Sequence, residues 1–215
     1  MSSSTILWYF ADPMCSWCWG FSPILEKIRS TYDEQLNMAL MLGGLRPGVP
    51  GETTPQMSAQ LRDDILDHWH EVHKMTGQSF SFEGAMPKGF VYDTEPASRA
   101  VVSLAQLNAD KIFTYFKSIQ AAFYVEQIDV TDVENLTELA SQQGVASDLF
   151  LEQFNSDMVK KITQQHFHGA RQAGVTGFPS LIIQEGADFE FIAKGYRPFE
   201  EIKSLIDSWL AQHHK

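Results

Sequence analysis

The sequence predicts an α/β domain in which a small sheet is split by a large all-helical insertion. Three observations predict it. A strand–helix–strand pattern opens the chain, helical periodicity without strand signals fills the middle, and two strand signals followed by a helix close it.

The first strand is expected over residues 5–11, Thr-Ile-Leu-Trp-Tyr-Phe-Ala, an apolar, β-branched and aromatic run suited to burial. Asp12-Pro13 stops it. Ile24, Leu25, Ile28 and Tyr32 then recur at helical spacing. Residues 36–42, Leu-Asn-Met-Ala-Leu-Met-Leu, read as a second buried strand ahead of Gly43-Gly44. Units of this kind normally have parallel strands joined by a right-handed crossover. Arg46 to Thr54 holds two prolines and two glycines and reads as a loop.

Past the loop, Leu61, Ile65, Leu66, Trp69 and Val72 share one helix face. Thr94 followed by Pro96 marks another helix start, with Ala100, Val101, Leu104 and Leu107 behind it. Ile112, Phe113, Phe116, Ile119 and Phe123 make a further apolar stripe. Thr131 and Glu134 have the spacing of a capping box ahead of Leu136 and Leu139. Ser147 is placed to cap a short helix bearing Leu149, Phe150 and Phe154, and a longer helix runs from about Ser156 to Ala173, stopping at Gly174. Phe80 to Tyr92 is irregular. Strand signals return at Pro179–Ile183 and Phe189–Ala193, with a turn at Gly186-Ala187-Asp188 between them. Pro198 opens a last helix with Phe199, Ile202, Leu205, Ile206 and Trp209 on one face. The expected organisation is one discontinuous α/β domain, residues 1–51 and 174–215, carrying a helical subdomain at 52–173.

Sixteen Lys and Arg against 27 Asp and Glu give a net charge of −11, with no basic cluster. Nucleic-acid binding rests on concentrated positive charge, so that class is excluded. No apolar stretch approaches the roughly 18 residues of a membrane span. The start, Met1-Ser2-Ser3-Ser4-Thr5, lacks the basic segment, long apolar stretch and cleavage site of a secretory leader, so a cytoplasmic location is expected.

Only two cysteines occur, Cys15 and Cys18, at C-x-x-C spacing. A disulfide scaffold would use more, and more widely spaced, cysteines. A four-coordinate zinc site would need two further ligands, and no other cysteine exists to supply them. The pair follows a predicted strand and opens a helix, where unpaired N–H groups and the helix dipole stabilise negative charge. Cys15 is therefore the expected attacking thiolate, and the deeper Cys18 the thiol that resolves a mixed disulfide. The alternative, a pair of buried cysteines acting as small hydrophobes, stays open at this point.

Far along the chain stands Gly174-Val175-Thr176-Gly177-Phe178-Pro179-Ser180. A proline cannot donate to a sheet, so Pro179 belongs at a strand start or an edge. With a cis Phe178–Pro179 bond, the Phe178 backbone can face the cysteines and pair with an incoming peptide as a strand would. A trans proline ending a loop is the plainer alternative.

Together, Ala11-Asp12-Pro13-Met14-Cys15-Ser16-Trp17-Cys18-Trp19-Gly20-Phe21 and the Gly174–Ser180 segment resemble the DsbA-like branch of the thioredoxin superfamily, and within it the cytoplasmic FrnE-like proteins. The resemblance spans nearly the whole chain, the helical block matching the family's insertion. It implies a thioredoxin-like fold and a protein disulfide oxidoreductase or isomerase, with Cys15 as nucleophile, Cys18 as resolving thiol and Pro179 as the cis-proline. Trp17, Gly177, Phe178 and Pro179 are the candidate substrate-contacting residues. Ser16-Trp17 replaces the Pro-His dipeptide of strongly oxidising periplasmic members, so their potential does not carry over. The partners implied are protein or peptide disulfides. No cofactor or metal is expected, though glutathione is a candidate co-substrate. The branch also holds kappa-class glutathione transferases and 2-hydroxychromene-2-carboxylate isomerases, so a glutathione-dependent isomerase is the rival reading; those proteins typically place a serine at the corresponding position, and the retention of both Cys15 and Cys18 favours disulfide exchange. A non-catalytic binding or holdase protein is a third. Monomer and homodimer are both compatible with the sequence.

Other features have plainer readings. His70-Glu71-Val72-His73 resembles a zinc-protease signature, but the second histidine falls one residue early. His68 shares that helical segment, and His166 and His168 read as surface residues. Met57, Met75 and Met86 read as ordinary core packing rather than an adaptable groove.

Overall fold

The computed structural model describes residues 5–49 and 51–213. Met1 to Ser4, expected ahead of the first strand, and Pro50 of the expected loop lie outside the described residues. Four strands form one mixed sheet in the order β2-β1-β3-β4. Strand β1 (Ile6–Ala11) pairs in parallel with β2 (Asn37–Leu42) through helix α1 (Ser16–Thr31), and antiparallel with β3 (Ser180–Glu185). Strand β4 (Asp188–Lys194) closes the hairpin with β3 and forms an edge. Between β2 and β3 come α2 (Ala59–Thr76), α3 (Glu95–Leu107), α4 (Ile112–Tyr124), α5 (Val133–Ser141), α6 (Ser147–Asn155) and α7 (Asp157–Gln172). Helix α8 (Phe199–His213) ends the described chain. Every expected element is present in the expected order.

Alternation along β1 sends side chains to both faces of the sheet. Tyr9 stacks on Phe21 of α1, with centroids 5.9 Å apart, and meets Phe116 of α4 edge-on at 6.1 Å. This face and the helical block share one continuous core. Phe10 points the other way and packs with Ala170 of α7, Val175 and Ile182. Both faces of β1 are thus covered, which explains its unbroken apolar run.

Pro23 lies inside α1, where it removes the N–H that would bond the Trp19 carbonyl one turn earlier. The Gln78 side-chain amide, just after α2, donates to that carbonyl at 3.2 Å. The helical block therefore repairs a defect in the helix that carries the cysteines.

Several details differ from expectation. Asp132, not Thr131, caps α5, its Oδ1 accepting from Glu134 N–H at 2.8 Å. Thr131 instead donates to Asp129, whose carboxylate holds the preceding turn. Ser147 is the first residue of α6, and no side chain caps that helix. Thr94 stands at the start of α3 as expected, though its hydroxyl caps nothing and instead accepts from the Arg46 backbone at 3.1 Å. His166 is half-buried rather than on the surface. Its Nδ1 accepts from Leu42 N–H at 3.2 Å, so burial lowers its pKa and favours the neutral ring. His168 is exposed as expected. Of the three methionines, Met86 is buried, Met57 half-buried and Met75 exposed at 62%, so core packing describes only part of the set.

Candidate active site

Strand β1 ends at Ala11, and the turn after it is built by Asp12. Its backbone carbonyl accepts from Cys15 N–H at 3.1 Å, and its Oδ1 accepts from Met14 N–H at 2.9 Å. This Asx-type turn hands the chain directly to α1. Cys15 becomes the N-cap, with an extended backbone, and its carbonyl accepts from Cys18 and Trp19 N–H. The Cys15 thiol therefore sits at the positive end of a 16-residue helix, beside N–H groups that no carbonyl of that helix uses. Cys18, one turn in, is fully buried. Both cysteines are free thiols.

Gly177, Phe178 and Pro179 approach from the far end of the chain. The Phe178–Pro179 bond is cis, and the Phe178 carbonyl lies 3.6 Å from Cys15 Sγ. The Pro179 carbonyl accepts from Gly195 N–H at 2.8 Å, and Ser180 Oγ donates to the Gly177 carbonyl at 2.8 Å. Both bonds anchor the loop to the β3–β4 hairpin. Pro179 is buried, Phe178 half-buried and Gly177 exposed. Trp17, half-buried, leans on Tyr196 with centroids 6.0 Å apart. Trp19 points inward, its indole N–H bonding the Ser79 carbonyl and its ring stacking on Tyr124.

A cavity of about 310 Å³ opens beside the cysteines, lined by Met14, Cys15, Ser16, Trp17 and Phe178 on one side. Leu45, Arg46, Ile65, His68, Trp69 and Tyr92 line the other. Cys15 itself is only 6% exposed, and what is exposed of it faces this opening.

Three residues that the sequence motifs did not single out shape the chemistry. Asp12 is fully buried, and burial pushes its carboxyl up to about 6 even though bonds from Leu45, Met14 and Thr94 pull it down. The Leu45 N–H donates to Oδ2 at 2.7 Å. Burial raises the pKa of Cys18 well above that of an ordinary thiol, with Cys15 next in effect and the Asp12 charge adding to it. Cys18 is held as the protonated partner. Tyr9 lies buried against Cys18, and desolvation, then Cys18 itself, raises its pKa. Tyr92 donates from its hydroxyl to the Met14 carbonyl at 2.6 Å, which fixes the residue before Cys15. An aspartate three residues before the first cysteine, next to a proline, was a readable turn signal. Tyr92 left none.

The histidine-rich segment does not assemble a site. His70 stacks on Phe82 at 4.0 Å, His73 Nδ1 contacts the Gln78 carbonyl at 2.8 Å, and His68 pairs with Glu71 at 3.4 Å. Among the described residues, no group of three or more His, Cys, Asp or Glu is placed to hold a metal ion. Among them, too, no helix is long and apolar enough to cross a membrane.

Comparison with known proteins places this geometry. The family model described as a DSBA-like thioredoxin domain matches residues 6–207. A crystal structure of a candidate protein disulfide isomerase from Nitrosomonas europaea is 46% identical, with a TM-score of 0.91 over 98% of this chain and 99% of that one. The cytosolic disulfide reductase DsbM from Pseudomonas aeruginosa, solved alone and with GSH, is 24% identical with a TM-score of 0.77, and shares the fold over 96% of this chain and 99% of its own. Among curated proteins, the ClpXP adapter protein SpxH of Halalkalibacterium halodurans is 19% identical over 95% of this chain, and that of Bacillus subtilis 21% over 81%. The matches span 67% and 56% of those two proteins' lengths. The FrnE-like assignment is finer than these matches and stays an expectation.

Proposed function

Because the chain belongs to the DSBA-like thioredoxin domain family, we propose that it is a thiol–disulfide oxidoreductase that reduces or isomerises partner disulfides through Cys15 and Cys18. The observation that carries this reading is the placement of Cys15 Sγ at a helix N-terminus, 3.6 Å from the Phe178 carbonyl of the cis-proline loop. Cys15, as thiolate, attacks one sulfur of the partner disulfide, and that partner's other sulfur leaves. Cys18 then loses its proton, attacks Cys15 Sγ and releases the second sulfur. The protein dithiol ends as a disulfide, and the partner gains two electrons. Asp12, buried and with a carboxyl near 6, is the base available to the deep Cys18 proton. The Phe178 backbone and the Trp17 ring hold the partner chain across the opening.

In this reading the protein works in the cytoplasm. Its only two cysteines are spent on the site, leaving no structural disulfide, and a reducing compartment keeps the pair as dithiol. Glutathione is the co-substrate that returns it to that state, and the cavity beside Cys15 is its place of entry.

The test is single-turnover reduction of insulin by the pre-reduced protein. Turnover lost in Cys15→Ser supports the assignment. Equal turnover in the wild type and in Cys15→Ser would overturn it. An adapter role, the one named for the curated relatives, predicts instead that partner binding survives when both cysteines become serine.

A further inference from the structure

Arg46 is the one permanently charged side chain lining the cavity beside Cys15; His68 lines it too, and no carboxylate does. His68 already has Glu71 at 3.4 Å, but the Arg46 guanidinium has no ion-pair or hydrogen-bond partner among the described residues. An exposed, unpaired arginine is unremarkable alone; its mounting here is not. Arg46 N–H donates to Thr94 Oγ1 at 3.1 Å, and the Arg46 carbonyl accepts from Thr94 N–H at 3.1 Å. The residue before it, Leu45, is tied to buried Asp12. The backbone of Arg46 is therefore clamped from the side of the reactive turn and from the side of the helical block, while its side chain stays free. Such a mounting fixes the point from which the guanidinium reaches the opening, so closing on a ligand orders the side chain alone and not the backbone. The whole chain carries −11, so an anionic disulfide meets general repulsion, and one local cation at the opening reverses it.

We infer that Arg46 is a specificity-determining residue that selects disulfides bearing a carboxylate within reach of Cys15, the class of acidic small thiols and acidic peptide disulfides. The inference rests on the disulfide-exchange reading above and adds the substrate class. Arg46 takes no part in the electron transfer. It binds the carboxylate through charge-assisted, two-pronged hydrogen bonds while Cys15 attacks the sulfur. A second cavity, of about 370 Å³, shares Arg46 and Tyr92 with the first and continues along the loop; Glu52 lines it, so it suits the non-acidic remainder of a peptide whose carboxylate Arg46 holds.

The experiment compares two disulfides in single turnover with pre-reduced protein, whose dithiol supplies both electrons: dithiodiglycolate, a dianion, and hydroxyethyl disulfide, which is neutral. The readout is the ratio of the two second-order rate constants in wild type and in Arg46→Gln, Arg46→Lys and Arg46→Glu. Comparing that ratio between each variant and the wild type cancels the intrinsic reactivity of each disulfide and any general loss from folding. The expected result is a fall of about tenfold in the anionic-to-neutral ratio for Gln, a larger fall for Glu, and partial retention for Lys. A ratio unchanged across the series overturns the inference, even if all rates drop together, because Arg46 would then be structural only. Reduction of both disulfides with a wild-type ratio no higher than that given by free dithiothreitol, which sets their intrinsic reactivities, also overturns it, while leaving the proposed activity intact. No reduction of either disulfide removes the proposed activity and this inference with it.

Discussion

The ring of Phe178 occupies the space that a side chain on Gly43 would fill. A Cβ at Gly43 would stand 1.9 Å from Cζ of that ring. The absence of a side chain at the end of β2 thus seats the residue whose carbonyl faces Cys15. Gly43→Ala is expected to push the ring off this seat and disturb the cis-proline loop. Overpacking of this kind costs about 1–3 kcal/mol. The expected outcome is a lower midpoint in thermal unfolding and slower insulin reduction, and an unchanged rate with an unchanged midpoint would refute it.

Cys18→Ser leaves Cys15 able to attack but nothing to resolve the product. Mixed disulfides with partner proteins should accumulate and disappear on treatment with dithiothreitol. The check is a non-reducing gel of cell extract incubated with the variant, under conditions where Cys15 is shown to be alkylatable. Cys15→Ser should trap none, since Cys18 is fully buried.

Tyr92→Phe removes one hydroxyl and orphans the buried Met14 carbonyl. A buried acceptor left without its donor costs about 1–3 kcal/mol. Urea unfolding should show a lower midpoint with an unchanged slope. The rate of Cys15 alkylation should change as well, because the turn before it loses its anchor.

Asp12 ties stability to pH in one direction. Burial holds its folded pKa near 6, above the unfolded value of about 3.9. The folded state keeps the proton more tightly, so this contribution is full below about pH 4 and is lost as pH rises through 6. A two-unit shift corresponds to on the order of 3 kcal/mol. Stability measured by urea unfolding from pH 4 to 7 should carry this decline in the wild type and lack it in Asp12→Asn.

His166 acts with the opposite sign. Burial lowers its pKa, so the folded protein resists the proton that the unfolded chain accepts. Its contribution is full above about pH 6.5 and is lost as pH falls below that value. His166→Gln, which keeps an acceptor for Leu42 N–H, should flatten the acid side of the stability profile. The same urea series at pH 5 and 7 tests it, and an identical loss in both proteins would refute the assignment.

Much of the architecture was legible in the residues. The apolar run of β1, the helical spacing of α1, the helical block and the closing hairpin are local patterns, and each residue's neighbours suffice to show them. Where local signals competed, the reading slipped by a residue. Thr131 and Asp132 both offer a capping oxygen, and only the backbone path selects Asp132. His166 looked like surface because helical spacing alone does not show that β2 ends against it.

The sequence by itself determined the order of strands and helices and the C-x-x-C pair at the mouth of a helix, because periodicity and turn chemistry act over a few residues. Tertiary structure decided the rest. Phe178 meets Cys15 across 163 residues of chain, Asp12 is stripped of water by the fold around it, Tyr92 reaches back to Met14, and Arg46 is clamped beside the reactive sulfur. Burial and long-range hydrogen bonds belong to the packed chain as a whole, and they turn two neighbouring thiols into one that lines an open cavity and one held protonated beneath it.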